Sequence, residues 1–318
     1  MNQNRKLGKS DLLIPTVTLG GNVFGWTVDE GMSFRLLDHW VDEGFNFIDT
    51  ADSYSKWVPG NQGGESETII GKWLKRTGKR PKVMIATKVG SEMAEHKKGL
   101  SARYIKEAVE ASLKRLNTDY IDLYQSHYDD PKVPVSETMQ AFNDLISEGK
   151  VRFLGASNLS PERIAESNSF ARENGLQPYI SLQPLYNLFD RQKFENEYSS
   201  VVDKEQLGVL PYYSLASGFL TGKYRTEADL TKSKRGAGIR QYMNERGMRI
   251  LKAMDEVAAE LDVHLSEIAI SWLIHKHAVT SAIASATNDV QLGQLIFASN
   301  LSLSDEQMKK LDLGSRIL

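Results

Sequence analysis

Short apolar, β-branched segments recur along this chain, each followed by a stretch with helical periodicity, and that alternation restricts the fold more than any other feature. The segments are residues 16–20, 46–50, 83–88, 121–127, 151–157, 179–184, 209–213 and 279–285. The first seven begin 28 to 38 residues apart, room for one strand, one helix and their loops. Runs such as Val83-Met84-Ile85-Ala86-Thr87 are nearly continuous in apolar character rather than alternating. That pattern suits strands buried on both faces beneath covering helices. The last two segments begin 70 residues apart, so an insertion lies between them.

The intervening stretches carry helix signals. Ser101 is placed to cap a helix with Ile105, Ala108, Val109, Ser112 and Leu116 on one face. Ser160 followed by Pro161 reads as an N-cap with proline at the first helical position. Leu36, Leu37, Trp40 and Val41 form an inward stripe before a break at Gly44. Ahead of the first strand, residues 5–10 and 12–14 suit a hairpin turning at Gly8-Lys9-Ser10-Asp11. Residues 222–243, rich in Lys, Arg, Gly and Thr, read as a long functional loop. No shift in composition marks a boundary. The expectation is an α/β fold, a single-domain (β/α)8 TIM barrel over residues 1–318 with an N-terminal β-hairpin closing its bottom.

Composition narrows the function. The 318 residues are 41% hydrophobic and 25% charged, as in ordinary globular proteins, and suffice for a large core. Lys plus Arg is 39 against 41 for Asp plus Glu, so no basic excess is present to neutralise a nucleic-acid backbone. The absence of cysteine removes disulfides, thiolate zinc sites and cysteine nucleophiles, and the six histidines are scattered, so no metal site is expected. The first fifteen residues lack the apolar core of a signal peptide, and no apolar run approaches the roughly 20 residues that span a bilayer. These features predict a cytoplasmic protein with neither nucleic-acid nor membrane partners.

In a barrel of this type, catalytic groups project from the C-terminal strand ends and the loops beyond them. Those ends hold Asp49, Lys88, His127, Asn158, Gln183, Tyr212 and Ser285, with Tyr54 in the loop after Asp49. A capping Asp, a surface Lys or a structural His each has an ordinary explanation alone. Four ionisable groups converging from three adjacent strands point to chemistry.

The same positions resemble the aldo-keto reductase family, in its bacterial-type branch akin to potassium-channel β subunits. The matching segments are Asp49-Thr50-Ala51-Asp52-Ser53-Tyr54, Ala86-Thr87-Lys88, Leu123-Tyr124-Gln125-Ser126-His127 and Gly155-Ala156-Ser157-Asn158. Gln183-Pro184-Leu185-Tyr186-Asn187 and the run from Tyr212 to Lys223 complete the set, in order along nearly the whole chain. The resemblance implies hydride transfer from NADPH to an aldehyde or ketone carbonyl, reversible as alcohol oxidation. Tyr54 would be the acid/base, with Lys88 lowering its pKa from near 10 and Asp49 holding Lys88 charged. His127 would hydrogen-bond the carbonyl oxygen.

The resemblance also implies cofactor contacts. Asn158 and Gln183, with Ser157 adjacent, would hold the nicotinamide carboxamide, and Tyr212 would stack on its ring. Ser214, Leu215, Ser217 and Gly218 would line the pyrophosphate, and Lys223 and Arg235 would clamp phosphate charge. Ser285, Thr287, Gln291 and Gln294 occupy the adenosine-site positions. NADP(H) is the expected preference, with NAD(H) kept open because Gln291 stands where some branches use Arg and Leu295 where Asn often contacts adenine. A P-loop is excluded by the spacing of Gly218 and Gly222, and neither GxGxxG after a strand nor GxSxG occurs.

Two other readings accompany this one. The first is an NADP(H)-binding sensor or regulatory subunit with vestigial turnover. The second is a Schiff-base lyase using Lys88, which a paired Asp49 opposes because that chemistry needs a neutral amine. Phe24, Trp26, Trp57, Tyr128 and Tyr186 are rim aromatics suited to an apolar pocket. The final helical pattern, 304–311, is followed by few residues, so broad acceptance of small aldehydes is expected.

Overall fold

A computed structural model of the chain describes residues 4–232 and 236–317. The chain opens with β1 (Asn4–Lys6) and β2 (Leu13–Pro15), which pair antiparallel with Arg5 opposite Ile14. Eight further strands form one parallel sheet. They are β3 (Val17–Gly20), β4 (Phe47–Asp49), β5 (Met84–Val89), β6 (Ile121–Ser126), β7 (Val151–Ser157), β8 (Tyr179–Gln183), β9 (Gly208–Val209) and β10 (Ala282–Ala284). Their spatial order is chain order, except that β10 returns beside β3. The sheet curls until its edges meet, where Thr280 N donates to Val209 O at 2.9 Å and Ile283 N to Pro211 O at 3.0 Å. This α/β architecture is consistent with a (β/α)8 barrel.

Helices follow the strands: α1 (Glu30–Asp42), α2 (Glu65–Thr77), α3 (Ala102–Leu116), α4 (Val135–Ser147), α5 (Pro161–Glu173) and α6 (Ser199–Glu205). After β9 come α7 (Gly236–Ile239), α8 (Glu245–Leu261) and α9 (Leu265–Ile274), and after β10 come α10 (Asp289–Ala298) and α11 (Asp305–Gly314). The Ser101 hydroxyl accepts from Tyr104 N at the start of α3, and the predicted stripe on that helix is buried. Ser160 caps α5 in the same way through Arg163 N. No helix among the described residues is long and apolar enough to cross a membrane.

Several boundaries differ from the sequence reading. The seventh sheet strand is only Gly208–Val209, although Leu210 N and Tyr212 N still donate to Leu182 O and Pro184 O, each at 2.9 Å. Tyr212 instead makes an isolated parallel bridge with Leu185. The eighth is trimmed from 279–285 to Ala282–Ala284. Residues 222–243, expected as an open loop, carry short helical turns at Glu227–Lys232, Gly236–Ile239 and Arg240–Tyr242. Buried Ile239 and Tyr242 pin them to the body, which charge-rich composition concealed. The last helix runs to Gly314 rather than 311. Beyond it, Ser315 O accepts from the Arg246 guanidinium at 3.0 Å.

Inside the curled sheet sits a small apolar cluster distinct from the outer core between strands and helices. Leu7, Leu12 and Ile14 pack there with Phe47, Ala86, Leu123, Leu210 and Ile283. Gly8 makes the approach possible with its φ of +57°, and a Cβ on it would collide with the carbonyl oxygen of Ile180. Side chains along a strand alternate, so the residue two positions on faces the same way. Two positions beyond Phe47, Ala86, Leu123, Leu210 and Ile283 stand Asp49, Lys88, Gln125, Tyr212 and Ser285. The apolar cluster is therefore the floor beneath a polar mouth.

Candidate active site

Parallel registers bring the first three ionisable groups together. Asp49 ends β4 opposite Ala86 of β5, and Lys88 of β5 lies opposite Gln125 of β6. Lys88 is fully buried and Asp49 nearly so. The ammonium donates to Asp49 Oδ2 at 2.7 Å, to Thr50 O at 2.8 Å and to the Tyr54 hydroxyl at 2.8 Å. Three acceptors use all three of its N–H bonds, which holds Lys88 as an ammonium and disfavours a Schiff-base role. Asp49 Oδ1 accepts from Gln183 Nε2 at 2.8 Å and Gln125 Nε2 at 3.4 Å. The carboxylate is thus oriented through both oxygens.

Tyr54 donates to Asp49 Oδ2 at 3.2 Å, long for an O–H···O bond and readily exchanged for a better acceptor. Burial pushes its phenol well above the ordinary tyrosine value, and the facing Asp49 carboxylate adds to the effect. The sequence reading had Lys88 lowering this pKa. Burial and Asp49 outweigh that influence, and Tyr54 stays protonated at neutral pH. Burial likewise lowers Lys88 below the usual lysine range, with Asp49 opposing the shift.

His127 follows β6, and its backbone N donates to Val89 O at 2.8 Å. Burial, reinforced by the Lys88 ammonium, drops its pKa well below the usual histidine value, so the imidazole is neutral at pH 7. Its ring lies edge-to-face with Tyr54, centroids 6.2 Å apart, and stacks on Tyr128 at 4.8 Å. Nδ1 is 2.9 Å from Ser91 Oγ. Asn158, in the left-handed region at φ +55°, donates to His127 O at 2.9 Å and accepts from the Tyr212 hydroxyl at 2.9 Å. Asn tolerates that conformation better than most residues.

One cleft of about 1070 Å³ runs from this cluster across the mouth. Asp49, Tyr54, His127, Ser157, Asn158, Gln183, Tyr212, Ser214, Leu215, Ser217, Gly218, Lys223, Ser285, Thr287, Gln291 and Gln294 all line it. Lys88 stands behind the wall and touches the lining through Asp49 and Tyr54. Arg235 lies outside the described residues. The turn carrying Ser217 and Gly218 has positive φ at Ala216, Ser217 and Gly218. A side-chain carbon at Gly218 would meet nothing nearer than Tyr224 at 3.9 Å, so the backbone lies open to a ligand there. At the far end, Gln291 Oε1 accepts from Thr287 N at 2.9 Å and Gln294 Oε1 from Ser266 Oγ at 3.0 Å.

The rim aromatics divide. Trp57 and Tyr128 are half-exposed and line the cleft, with Trp26 edge-on to Trp57 at 5.5 Å. Phe24 and Tyr186 are buried in the core instead. Sequence reasoning missed Gln125, Ser91, Asn22, Tyr213 and His264, each of which touches the cluster or the cleft. Gln125 was recoverable, because strand alternation places it with Leu123 and His127. The others sit where a loop happens to turn.

A curled parallel sheet with this tyrosine–lysine–carboxylate cluster at the C-terminal mouth belongs to an enzyme, an NAD(P)H-dependent oxidoreductase. The Aldo/keto reductase family model matches residues 16–313, and the chain belongs to that family. It is 34% identical over 314 residues to "Uncharacterized oxidoreductase YqkF" of Bacillus subtilis (strain 168), covering 97% of this chain and 95% of that one. It is 33% identical over 300 residues to "Probable voltage-gated potassium channel subunit beta" of Arabidopsis thaliana, covering 91% and 89%. It is 32% identical over 340 residues to "Aldo-keto reductase AMT2" of Alternaria alternata, covering 97% and 90%. Members of the family act on small carbonyl substrates with nicotinamide nucleotides.

Proposed function

We propose that this protein reduces aldehyde or ketone carbonyls with NADPH and oxidises the corresponding alcohols in reverse. The observation that carries the reading is the Tyr54 hydroxyl at the cleft wall, held 2.8 Å from the Lys88 ammonium and 3.2 Å from Asp49. When bound, the dihydronicotinamide supplies a hydride to the carbonyl carbon. The oxyanion that results takes the Tyr54 proton. Lys88 stabilises the phenolate left behind, and Asp49 keeps Lys88 charged and aimed. Neutral His127 orients the carbonyl oxygen.

The donors along the cleft fit a dinucleotide. Asn158 and Gln183, beside Ser157, would hold the carboxamide end, and Tyr212 would stack on the nicotinamide ring. Ser214, Leu215, Ser217 and Gly218 would accommodate the pyrophosphate. Lys223 would supply positive charge, and Ser285, Thr287, Gln291 and Gln294 would take the adenosine. Lys223 would favour NADPH over NADH by reaching the 2′-phosphate, the one group the two cofactors do not share. We read the whole as one closed (β/α)8 barrel domain with the N-terminal hairpin beneath it, working in the cytoplasm. The half-exposed Trp57 and Tyr128 suit several small aldehydes, since apolar contacts discriminate by only about 1–3 kcal/mol per methylene.

Steady-state turnover of an aldehyde panel with NADPH and NADH in parallel tests this reading. The expected result is turnover of several aldehydes with tighter NADPH binding, and Lys223→Ala weakening NADPH by about tenfold or more. Tight NADPH binding without turnover would favour the alternative, a cofactor-binding regulatory subunit. That reading draws on the potassium-channel subunit relatives.

A further inference from the structure

We propose that Ser91 is a positioning residue that fixes His127 as the tautomer protonated on Nε2. Its functional meaning rests on the carbonyl-reducing reading above, whereas the tautomer itself does not.

The geometry begins in the backbone. Lys88 and Val89 end β5, and Gly90 then turns the chain with a φ of +118°. A Cβ at that position would press to 3.2 Å from Leu100 Cδ2 and 3.3 Å from Tyr128 O. This bend delivers Ser91 to the side of β6. Residue 127 is clamped there from both sides, because its N donates to Val89 O at 2.8 Å and its carbonyl accepts from Asn158 Nδ2 at 2.9 Å. Stacking on Tyr128, with the planes only 20° apart, fixes the ring face. The 2.9 Å contact between Ser91 Oγ and Nδ1 then fixes its rotation.

A neutral imidazole carries one proton, and a serine hydroxyl can either donate to Nδ1 or accept from it. Two considerations choose. No other acceptor for the Ser91 hydroxyl is found among the described side-chain hydrogen bonds, so donation to Nδ1 uses its only proton. The opposite tautomer would turn a bare Nε2 lone pair toward any carbonyl oxygen in the cleft, acceptor against acceptor. With Ser91 donating, Nε2–H becomes a second donor to that oxygen beside the Tyr54 hydroxyl. Ser91 itself touches no reacting atom.

The experiment uses the full chain labelled with ¹⁵N-histidine, the His127 resonances being those lost in His127→Gln. Wild type is expected in the Nε2–H form. Ser91→Ala should move His127 toward a tautomer mixture and lower kcat roughly tenfold while the NADPH Kd stays unchanged. Ser91→Thr, which keeps the hydroxyl, should restore both the spectrum and kcat. An Nδ1–H wild type, or a Ser91→Ala spectrum like wild type, would overturn the tautomer assignment. A shifted tautomer with undiminished kcat would overturn the positioning role. If wild type reduces no aldehyde but the tautomer still responds to Ser91, the carbonyl-reducing reading falls and the tautomer assignment stands.

Discussion

The same strands end in two different chemistries. On β4, β5 and β6 the lower level holds Phe47, Ala86 and Leu123, and the next holds Asp49, Lys88 and Gln125. Both levels are buried. The lower one gains stability simply by leaving water. The upper one must answer every charge with a partner, and a buried ion pair gains little over apolar residues of the same volume. Stability is therefore concentrated at the floor and reactivity at the mouth, a few ångströms apart on one sheet.

Tyr54→Phe should have the largest effect and a one-sided one. Turnover of a reduced aldehyde should drop by roughly 10²–10⁴-fold, the usual loss for a general acid, while the thermal midpoint and NADPH affinity hold. Turnover within a few-fold of wild type would show that the mouth does not depend on this hydroxyl. The mirror experiment is Phe47→Ala on the floor. Truncating a fully buried phenylalanine costs about 3–5 kcal/mol, measured by urea unfolding, and the molecules that remain folded should keep their kcat. A loss below about 1 kcal/mol would mean that the floor is not the stabilising level.

A third test contrasts two buried aspartates. Asp49 has four donors, but Asp52, three residues on and equally buried, meets none in hydrogen-bond geometry. Burial, with nearby Glu67 adding to it, raises the Asp52 pKa to about 8. An unfolded aspartate titrates near 4, so the folded protein binds this proton more tightly. That stabilisation is complete below about pH 4 and is lost as pH rises through about 8. Urea unfolding between those limits should show wild type losing stability relative to Asp52→Asn, by at most about 1.4 kcal/mol per pH unit. Parallel curves for the two proteins would show that Asp52 ionises normally.

How far the site could be read from sequence follows the same division. Asp49, Lys88 and His127 are legible because a strand end is a local pattern, and Tyr54 because it completes a recognisable segment. Gln125 was legible too, from the alternation that sets it between Leu123 and His127. Ser91 was not, since its reach to Nδ1 depends on how Gly90 turns. The net direction of the tyrosine's pKa was out of reach for a related reason. Proximity to Lys88 shows in the motif, but the burial that outweighs it does not.

The sequence by itself determined the alternation of strands and helices, the caps at Ser101 and Ser160, and which strand ends carry ionisable groups. These rest on interactions within a few residues. Tertiary structure alone decided that Gln183 would steady Asp49 from 134 residues away, and that Ser285 would pair with Asn22 across 263. It also put Phe24 and Tyr186 in the core while leaving Trp57 and Tyr128 at the rim. Such pairings are fixed only when the sheet curls and water leaves, because only then must each buried polar group find its partner.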